Sequence, residues 1–374
     1  MRKIFQLITS IQLGGAENVA LDIAEFCGRT GGPNSEITVV ELYPTRNSYV
    51  ETKKEELVSK NIRVITLYRG SKRMSLIFAP FKLLLLMLNE KPAIIHSHTD
   101  LPDFVLAMSI RLSRLTRLKM TRLVRTIHNT QLWRTHYRMG KVTETAFHGE
   151  RIAAVSSYSM IAYEQLRKRY DLPTSPDRQI IYNGRAIPQR LSAPFPISEE
   201  MINIAFCGRF EDYKGMETLI PTIREIGRKH PKRFAFHLIG DGTYKEQLKQ
   251  LTLEQPNVFL HDPIPNVSTL LHVFDYLFMP SHFEGLALVS IEASFSGVPV
   301  IASIAPGLDE TLPENWPLKF PLNDYEKLQA IFKKIYNNEY DRGELQKTAY
   351  DFVNRNFSLE KMIHSYNKLY TEML

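Results

Sequence analysis

Residues 276–302 read YLFMPSHFEGLALVSIEASFSGVPVIA. An apolar run, Tyr276–Met279, gives way to a polar loop, then to a helical pattern over Leu286–Phe295, then to a second apolar run, Val298–Ala302. That is one β–α–β unit, the building block of a parallel sheet. Toward the amino terminus the same rhythm gives strands at Ile202–Cys207, Phe234–Ile239 and Val258–Leu260. Helices fit near Met216–Arg228 and Tyr244–Leu251. The rhythm stops at residues 186–200, AIPQRLSAPFPISEE, whose three prolines and lack of periodicity mark an interdomain linker. Before it, strands are expected at Lys3–Ile8, Ile37–Leu42, Arg63–Leu67, Ala93–His96, Leu123–His128, Ile152–Val155 and Gln179–Tyr182. Helices fit at Ala16–Cys27, Met74–Asn89 and Ser159–Arg169. The expected fold is α/β, with two Rossmann-like doubly wound domains: residues 1–186, a linker at 187–200, and residues 201–358. Such sheets bind ligands at the carboxyl ends of their strands, so a cleft faced by both domains is the expected site.

Length agrees, since 374 residues exceed one compact core and suit two domains. Hydrophobic residues at 44% and charged residues at 23% exclude disordered and fibrous classes. Two cysteines, Cys27 and Cys207, form no C-x-x-C pair, which excludes a disulfide scaffold or zinc finger and suits a reducing cytoplasm. Polar Gln6 and Gln12 and the lack of an A-x-A site make the opening residues a first strand rather than a signal segment.

The net charge of +7 is uneven: residues 1–187 carry 28 basic against 16 acidic side chains, and the remainder 19 against 24. Nine basic residues and no acid lie from Arg111 to Lys141. Such a field attracts anions: nucleic acid, an anionic membrane face or phosphorylated small molecules. No recognition motif or stacking set accompanies it, so nucleic acid is not the expected partner. The most apolar stretch, Leu76–Leu88, is interrupted by Pro80 and shorter than the roughly 20 residues of a spanning helix. It reads first as a buried helix. Lys72, Arg73 and Lys82 make a helix lying in a membrane interface the second reading.

Three segments carry chemistry. Gly14 and Gly15 sit at the first strand-to-helix turn, where backbone can approach an anion, although the G-x-G-x-x-G pattern is absent. Gly208-Arg209 ends a strand and Lys214-Gly215 opens the next helix, so two cations leave one strand end and can neutralise a diphosphate. In the opening segment, Glu284 lies in the loop and Glu292 eight residues on, roughly 12 Å along a helix axis. The free amides of the helix's first turn lie between them. Carboxylates suit hydroxyl-rich ligands, so a sugar, a diphosphate and a ribose fit in sequence. His96-Ser97-His98 with Asp100 has two imidazoles on one strand face, but zinc needs three or four ligands. Acceptor contacts or a plain structural role fit that segment better than a metal.

GGAE (14–17), Arg209 with Lys214, LIGDG (238–242), and the two glutamates of PSHFEGLALVSIEASFSGVPVIAS (280–303) resemble the retaining GT-B glycosyltransferases of family 4. Thr126-Ile127-His128-Asn129, Val155-Ser156-Ser157 and Ile181-Tyr182-Asn183-Gly184 extend the likeness, in the family's order, over nearly the whole chain. One departure is that Glu284-Gly285 is followed by Leu286-Ala287 where many relatives have a Gly/Pro-rich stretch.

The resemblance implies a hexosyltransferase that uses a nucleotide diphosphate sugar without a metal or other cofactor. Arg209 and Lys214 would stabilise the departing diphosphate, with Gly14, Gly15 and Gly208 close to the donor. Glu284 would bond the donor sugar, amides of Gly285, Leu286, Ala287 and Leu288 would contact sugar and phosphate, and Glu292 would hold the ribose. His128 would face the sugar near the reacting carbon, and the loop at Pro263 and Ile264 would receive the base. His98 and Asp100 are the acceptor-side candidates. A helix near 359–374 would return to the first domain. The acceptor would be a lipid-linked or surface-polysaccharide precursor, as in capsule, exopolysaccharide or lipopolysaccharide assembly, with the enzyme cytoplasmic and peripheral on the inner membrane face. The rivals are a nucleotide-sugar epimerase of the same fold, a non-catalytic nucleotide-sugar-binding protein and a nucleic-acid-binding protein.

Overall fold

The structure is a computed structural model and describes residues 2–12, 14–30, 35–113 and 121–374. The chain divides into two compact units, Met1–Gly184 with Leu359–Leu374, and Arg185–Ser358.

In chain order the first unit holds β1 (Arg2–Ile8), α1 (Gly15–Thr30), β2 (Ser35–Glu41), α2 (Ser48–Ser59), β3 (Arg63–Thr66), α3 (Lys72–Glu90) and β4 (Ile94–His98). It continues with α4 (Asp100–Ser113), β5 (Arg122–Ile127), α5 (Tyr137–Glu144), β6 (Arg151–Ala154), α6 (Ser157–Arg169) and β7 (Arg178–Ile180). All seven strands are parallel, in the order β3-β2-β1-β4-β5-β6-β7. The order reverses between β1 and β4, so the turns leaving these two strands diverge and open a crevice at their carboxyl ends. Phe5, Leu7, Val40, Ile95 and Leu106 are buried in the core. Fully burying one such side chain contributes about 1.5–3 kcal/mol. Ser156 caps α6 by accepting from the Ser159 amide at 3.0 Å, a contact worth about 1 kcal/mol.

The second unit holds β8 (Ile202–Cys207), α7 (Met216–Lys229), β9 (Phe234–Ile239), α8 (Lys245–Glu254), β10 (Val258–His261), β11 (Tyr276–Met279) and α9 (Leu288–Phe295). After these come β12 (Val300–Ile304), β13 (Lys319–Pro321), α10 (Tyr325–Tyr336) and α11 (Arg342–Phe357). Six parallel strands run in the order β10-β9-β8-β11-β12-β13, and here the reversal lies between β8 and β11. Phe206, Phe236, Leu277, Phe278 and Ile301 fill its core. The last helix, α12 (Leu359–Met373), belongs to the first unit.

Several details depart from the sequence reading. The strand expected from Val298 begins at Val300, because Pro299 has no amide to pair. Pro80 does not interrupt its segment: α3 runs through it, and the Pro80 carbonyl accepts the Ser109 hydroxyl at 2.9 Å. Residues 187–200 form no helix or strand, as their prolines dictate, yet they pack on the second unit. Phe195 stacks on His261 with ring centroids 3.8 Å apart, and the Leu191 amide donates to the Thr269 carbonyl at 3.0 Å. Cys27 and Cys207 are both free and buried.

Candidate functional site

The reversal point of the second sheet gathers the residues singled out there. Gly208 and Arg209 follow β8, and the chain turns through Asp212–Lys214 into α7. From the end of β11, Pro280–Ala287 descend to α9. The Lys214 Nζ lies 2.6 Å from Glu284 Oε1, with both side chains largely shielded, at 14% and 12% exposure. Arg209 is exposed, and its guanidinium lies 5.4 Å from the Tyr213 ring centroid, with Lys214 Nζ 5.6 Å from the same centroid. Tyr213 in turn stacks on Phe283 at 5.3 Å. Two cations and one carboxylate thus converge on an aromatic pair bridging the β8 and β11 loops. The His282 side chain is bound to Glu217, while its amide donates to the Tyr213 carbonyl at 2.8 Å.

Two glycines make this approach geometrically feasible. Gly215 has φ +75°, and a Cβ there would fall 1.9 Å from the Pro280 carbonyl oxygen. Gly307 has φ +72°, and a Cβ there would fall 2.2 Å from the Glu284 carbonyl oxygen. The Glu284 amide donates to Pro306 O at 2.8 Å, and the Ala287 amide to Gly307 O at 2.9 Å. This cross-link holds Glu284 through Ala287 as loop, so α9 begins at Leu288 and not at Leu286. It also corrects the expected ligand amides: that of Ala287 is already bonded. The Leu286 and Ala287 side chains are buried, at 7% and 2%, so only their backbone can face a ligand. Ile264 is half-buried and packs against the core.

Glu292 does not stand alone on α9. Arg185 Nε lies 2.9 Å from Glu292 Oε1, with the two side chains 12% and 15% exposed. Arg185 was missed, because nothing in Asn183-Gly184-Arg185 points to a residue so distant in sequence. Tyr213 was missed as well, although an aromatic between Arg209 and Lys214 is a readable signal.

In the first unit, Gly14 precedes α1 and Gly15 opens it. Glu17 folds back over this turn, since a Cβ on Gly14 would fall 2.2 Å from a Glu17 carboxylate oxygen. Gln12 Nε2 donates to that carboxylate at 3.1 Å. At the end of β4, His96 and His98 share one strand face with ring centroids 4.1 Å apart. His96 meets the Tyr370 hydroxyl and Thr126 Oγ1, both at 2.6 Å. His98 meets Gln6 Oε1 at 2.8 Å and His128 Nε2 at 3.0 Å.

Both ring nitrogens of His98 are therefore engaged, and the side chain is 1% exposed. That corrects its expected acceptor contact: His98 orients His128, which follows β5. Burial pushes His128 down to about 3, and burial with the neighbouring imidazoles holds His98 well below the ordinary range. Asp100, at the start of α4, is half-buried and accepts from the Trp133 amide at 3.3 Å. Burial first, then the Asp103 carboxylate, pushes it up to about 7. Among the described residues no three His, Cys, Asp or Glu side chains gather as a metal site would need.

The basic stretch divides. Arg114, Arg117 and Lys119 lie outside the described residues. Arg125 does not face solvent: it is 1% exposed, 2.8 Å from Asp103 and 2.7 Å from Glu144. Arg111, Arg122, Arg134, Arg138 and Lys141 are exposed.

Residues 13–185 match the family model for Glycosyltransferase Family 4, and residues 202–338 match that for Glycosyl transferases group 1. A Klebsiella pneumoniae protein described as an uncharacterized 41.2 kDa protein in the cps region is 24% identical over 296 residues. That alignment spans 74% of this chain and 78% of the relative. The sulfoquinovosyl transferase SQD2 of Arabidopsis thaliana is 38% identical over 141 residues, 36% of this chain and 27% of its own length. Among solved structures, Anabaena HepE in complex with UDP-glucose superposes with a TM-score of 0.77 at 19% identity, covering 100% of both chains. WaaG, a glycosyltransferase involved in lipopolysaccharide biosynthesis, superposes with a TM-score of 0.71 at 13% identity, covering 98% of this chain and 99% of its own.

Two parallel α/β units with this fold and these family matches define a glycosyltransferase of the GT-B type. Its amino-terminal part carries the Glycosyltransferase Family 4 domain and its carboxy-terminal part a Glycosyl transferases group 1 domain.

Proposed function

We propose that the protein is a retaining glycosyltransferase that moves a hexosyl unit from a nucleotide diphosphate sugar to an acceptor hydroxyl. The observation that supports this best is the 2.6 Å Lys214–Glu284 pair at the reversal point of the second sheet, with Arg209 on the same strand end. Breaking the bond from the anomeric carbon to the phosphate oxygen leaves negative charge on the diphosphate. Fixed cations at Arg209 and Lys214, with the leading amides of α9, stabilise that charge without reorganising. The acceptor oxygen bonds the anomeric carbon on the face the diphosphate leaves, and its proton passes to the leaving phosphate oxygen. No carboxylate nucleophile is then needed, unlike in retaining hydrolases, and the positive charge comes from side chains rather than from a metal.

In this reading Glu284 bonds the sugar hydroxyls, Glu292 the ribose hydroxyls, and the loop at Ile264 the base. From the first unit, Gly14, Gly15 and His128 serve the donor and Asp100 the acceptor. The acceptor is a lipid-linked or surface-polysaccharide precursor at the cytoplasmic face of an anionic membrane, a choice supported by the likeness to the cps-region protein and to WaaG.

The test is a thermal-shift panel of UDP-, GDP- and ADP-sugars, beginning with UDP-glucose because HepE was crystallised with it. A ligand at a hundred times its Kd stabilises by about 2.7 kcal/mol, enough to rank donors. Product from the best donor should keep the donor's anomeric configuration by NMR. Shifts from no sugar nucleotide, or an inverted product, would overturn the reading. Turnover without any acceptor would favour the epimerase.

A further inference from the structure

Helix α3 has two apolar faces. Ala79, Pro80, Leu83 and Met87 are buried in the first unit. Met74, Ile77, Phe78, Phe81 and Leu85 recur at helical spacing on the other side and are exposed, from 40% to 58%. Isolated exposed apolar side chains are ordinary, but a contiguous stripe of this kind marks an interaction surface.

The charges beside the stripe are all of one sign. No Asp or Glu occurs between Glu56 and Glu90, whereas Arg69, Lys72, Arg73 and Lys82 do. Lys72, Arg73 and Lys82 are exposed, and the first turn of α3 has no acidic residue. Cations at a helix amino terminus oppose the helix dipole, so their placement works against the helix and suits an external anion. No helix among the described residues is long and apolar enough to cross a membrane.

We propose that the outer face of α3 lies in the headgroup layer of an anionic lipid bilayer, with its apolar side chains inserted and Lys72, Arg73 and Lys82 against lipid phosphates. An amphipathic helix with apolar insertion and cationic flanks binds such an interface in its plane. The choice of lipid over a protein partner rests on the acceptor proposed above, and the charge pattern supports it independently.

The experiment is vesicle flotation of the full chain with phosphatidylcholine alone and with phosphatidylcholine mixed with phosphatidylglycerol. The protein should float with the anionic vesicles, and added salt should release it. Changing Ile77→Ser together with Phe81→Ser should weaken binding by roughly tenfold or more. Changing Lys72→Glu together with Arg73→Glu should weaken it by a similar factor. Both variants should keep the wild-type thermal shift with UDP-glucose, which shows that they are folded. Absence of flotation, or flotation equal in wild type and variants, would overturn the proposal. So would a dimer in sedimentation that Phe81→Ser dissociates without any vesicle binding, which would assign the face to a second copy. Flotation without any sugar-nucleotide shift would instead sink the proposed function and leave this inference standing.

Discussion

Lys214 sits 2.6 Å from the Glu284 carboxylate, so removing its ammonium takes away a fixed charge and leaves the surrounding loops joined. Lys214→Ala should lower turnover by roughly 10²- to 10³-fold, the usual effect of deleting one preorganised charge stabiliser. Its melting temperature should stay near wild type, and near-normal turnover would remove Lys214 from the chemistry. Arg185 offers a different readout. It holds Glu292 at 2.9 Å, so Arg185→Ala should raise the donor KM several-fold and affect kcat less, while Arg185→Lys restores part of the affinity. An unchanged KM would show that the ion pair does not prepare Glu292 for its ligand. The sequence showed Arg209, Lys214 and Glu284 because they stand at strand ends beside glycine. It hid Arg185 because a pairing between remote segments leaves no local pattern, and it misjudged His98 because a residue's burial depends on what later packs over it.

Element by element, regular patterns read well and junctions read poorly. The buried strands β8, β9 and β11 were legible to the residue, since short apolar runs between turn signals admit few alternatives. The start of α9 was displaced because hydrogen bonds to Pro306 and Gly307, not local propensity, hold Glu284–Ala287 out of the helix. Gly307→Ala should therefore destabilise the second unit by roughly 1–3 kcal/mol in urea unfolding and abolish the sugar-nucleotide shift. Wild-type stability would mean that the loop relaxes around the added methyl.

The end of β4 predicts a pH dependence. His96 and His98 are held well below 6.5, and His128 is pushed down to about 3, chiefly by burial. The unfolded chain takes up these protons below about pH 6.5 and the folded one does not, so acid favours unfolding, by up to about 1.4 kcal/mol per pH unit for each imidazole. Asp100, raised to about 7, opposes this, because between about pH 4 and 7 only the folded state keeps its proton. Burial also raises the carboxyls of Asp103 and Glu150, which oppose the imidazoles in the same way. Asp100→Asn removes one opposing group, so its urea midpoint should fall relative to wild type as the pH is lowered from 7 to 5; parallel profiles would contradict a carboxyl at residue 100 that keeps its proton in the folded state.

At the scale of the molecule, the division into two α/β units was visible as a break in rhythm, and the boundary was less so. Prolines told where regular structure stops, but not that residues 187–200 would seat on the second unit. The returning helix came only from the family resemblance, because an amphipathic pattern does not name the unit it will cover. Tyr366 and Tyr370 of α12 are buried and bonded to Thr126, His96 and Gln6. A chain ending at Ser358 should therefore lose the cooperative unfolding of its first unit. Its second unit, the continuous segment Arg185–Ser358, should still melt as one transition and still shift with sugar nucleotide. Two intact transitions in that truncation would show α12 to be dispensable.

That helix also sets an order of events during synthesis. Domains ordinarily fold as they leave the ribosome, starting from the amino end. Here the tyrosines that complete the polar floor beneath β1, β4 and β5 lie beyond the whole of Arg185–Ser358, so the first unit cannot close before the second has been translated.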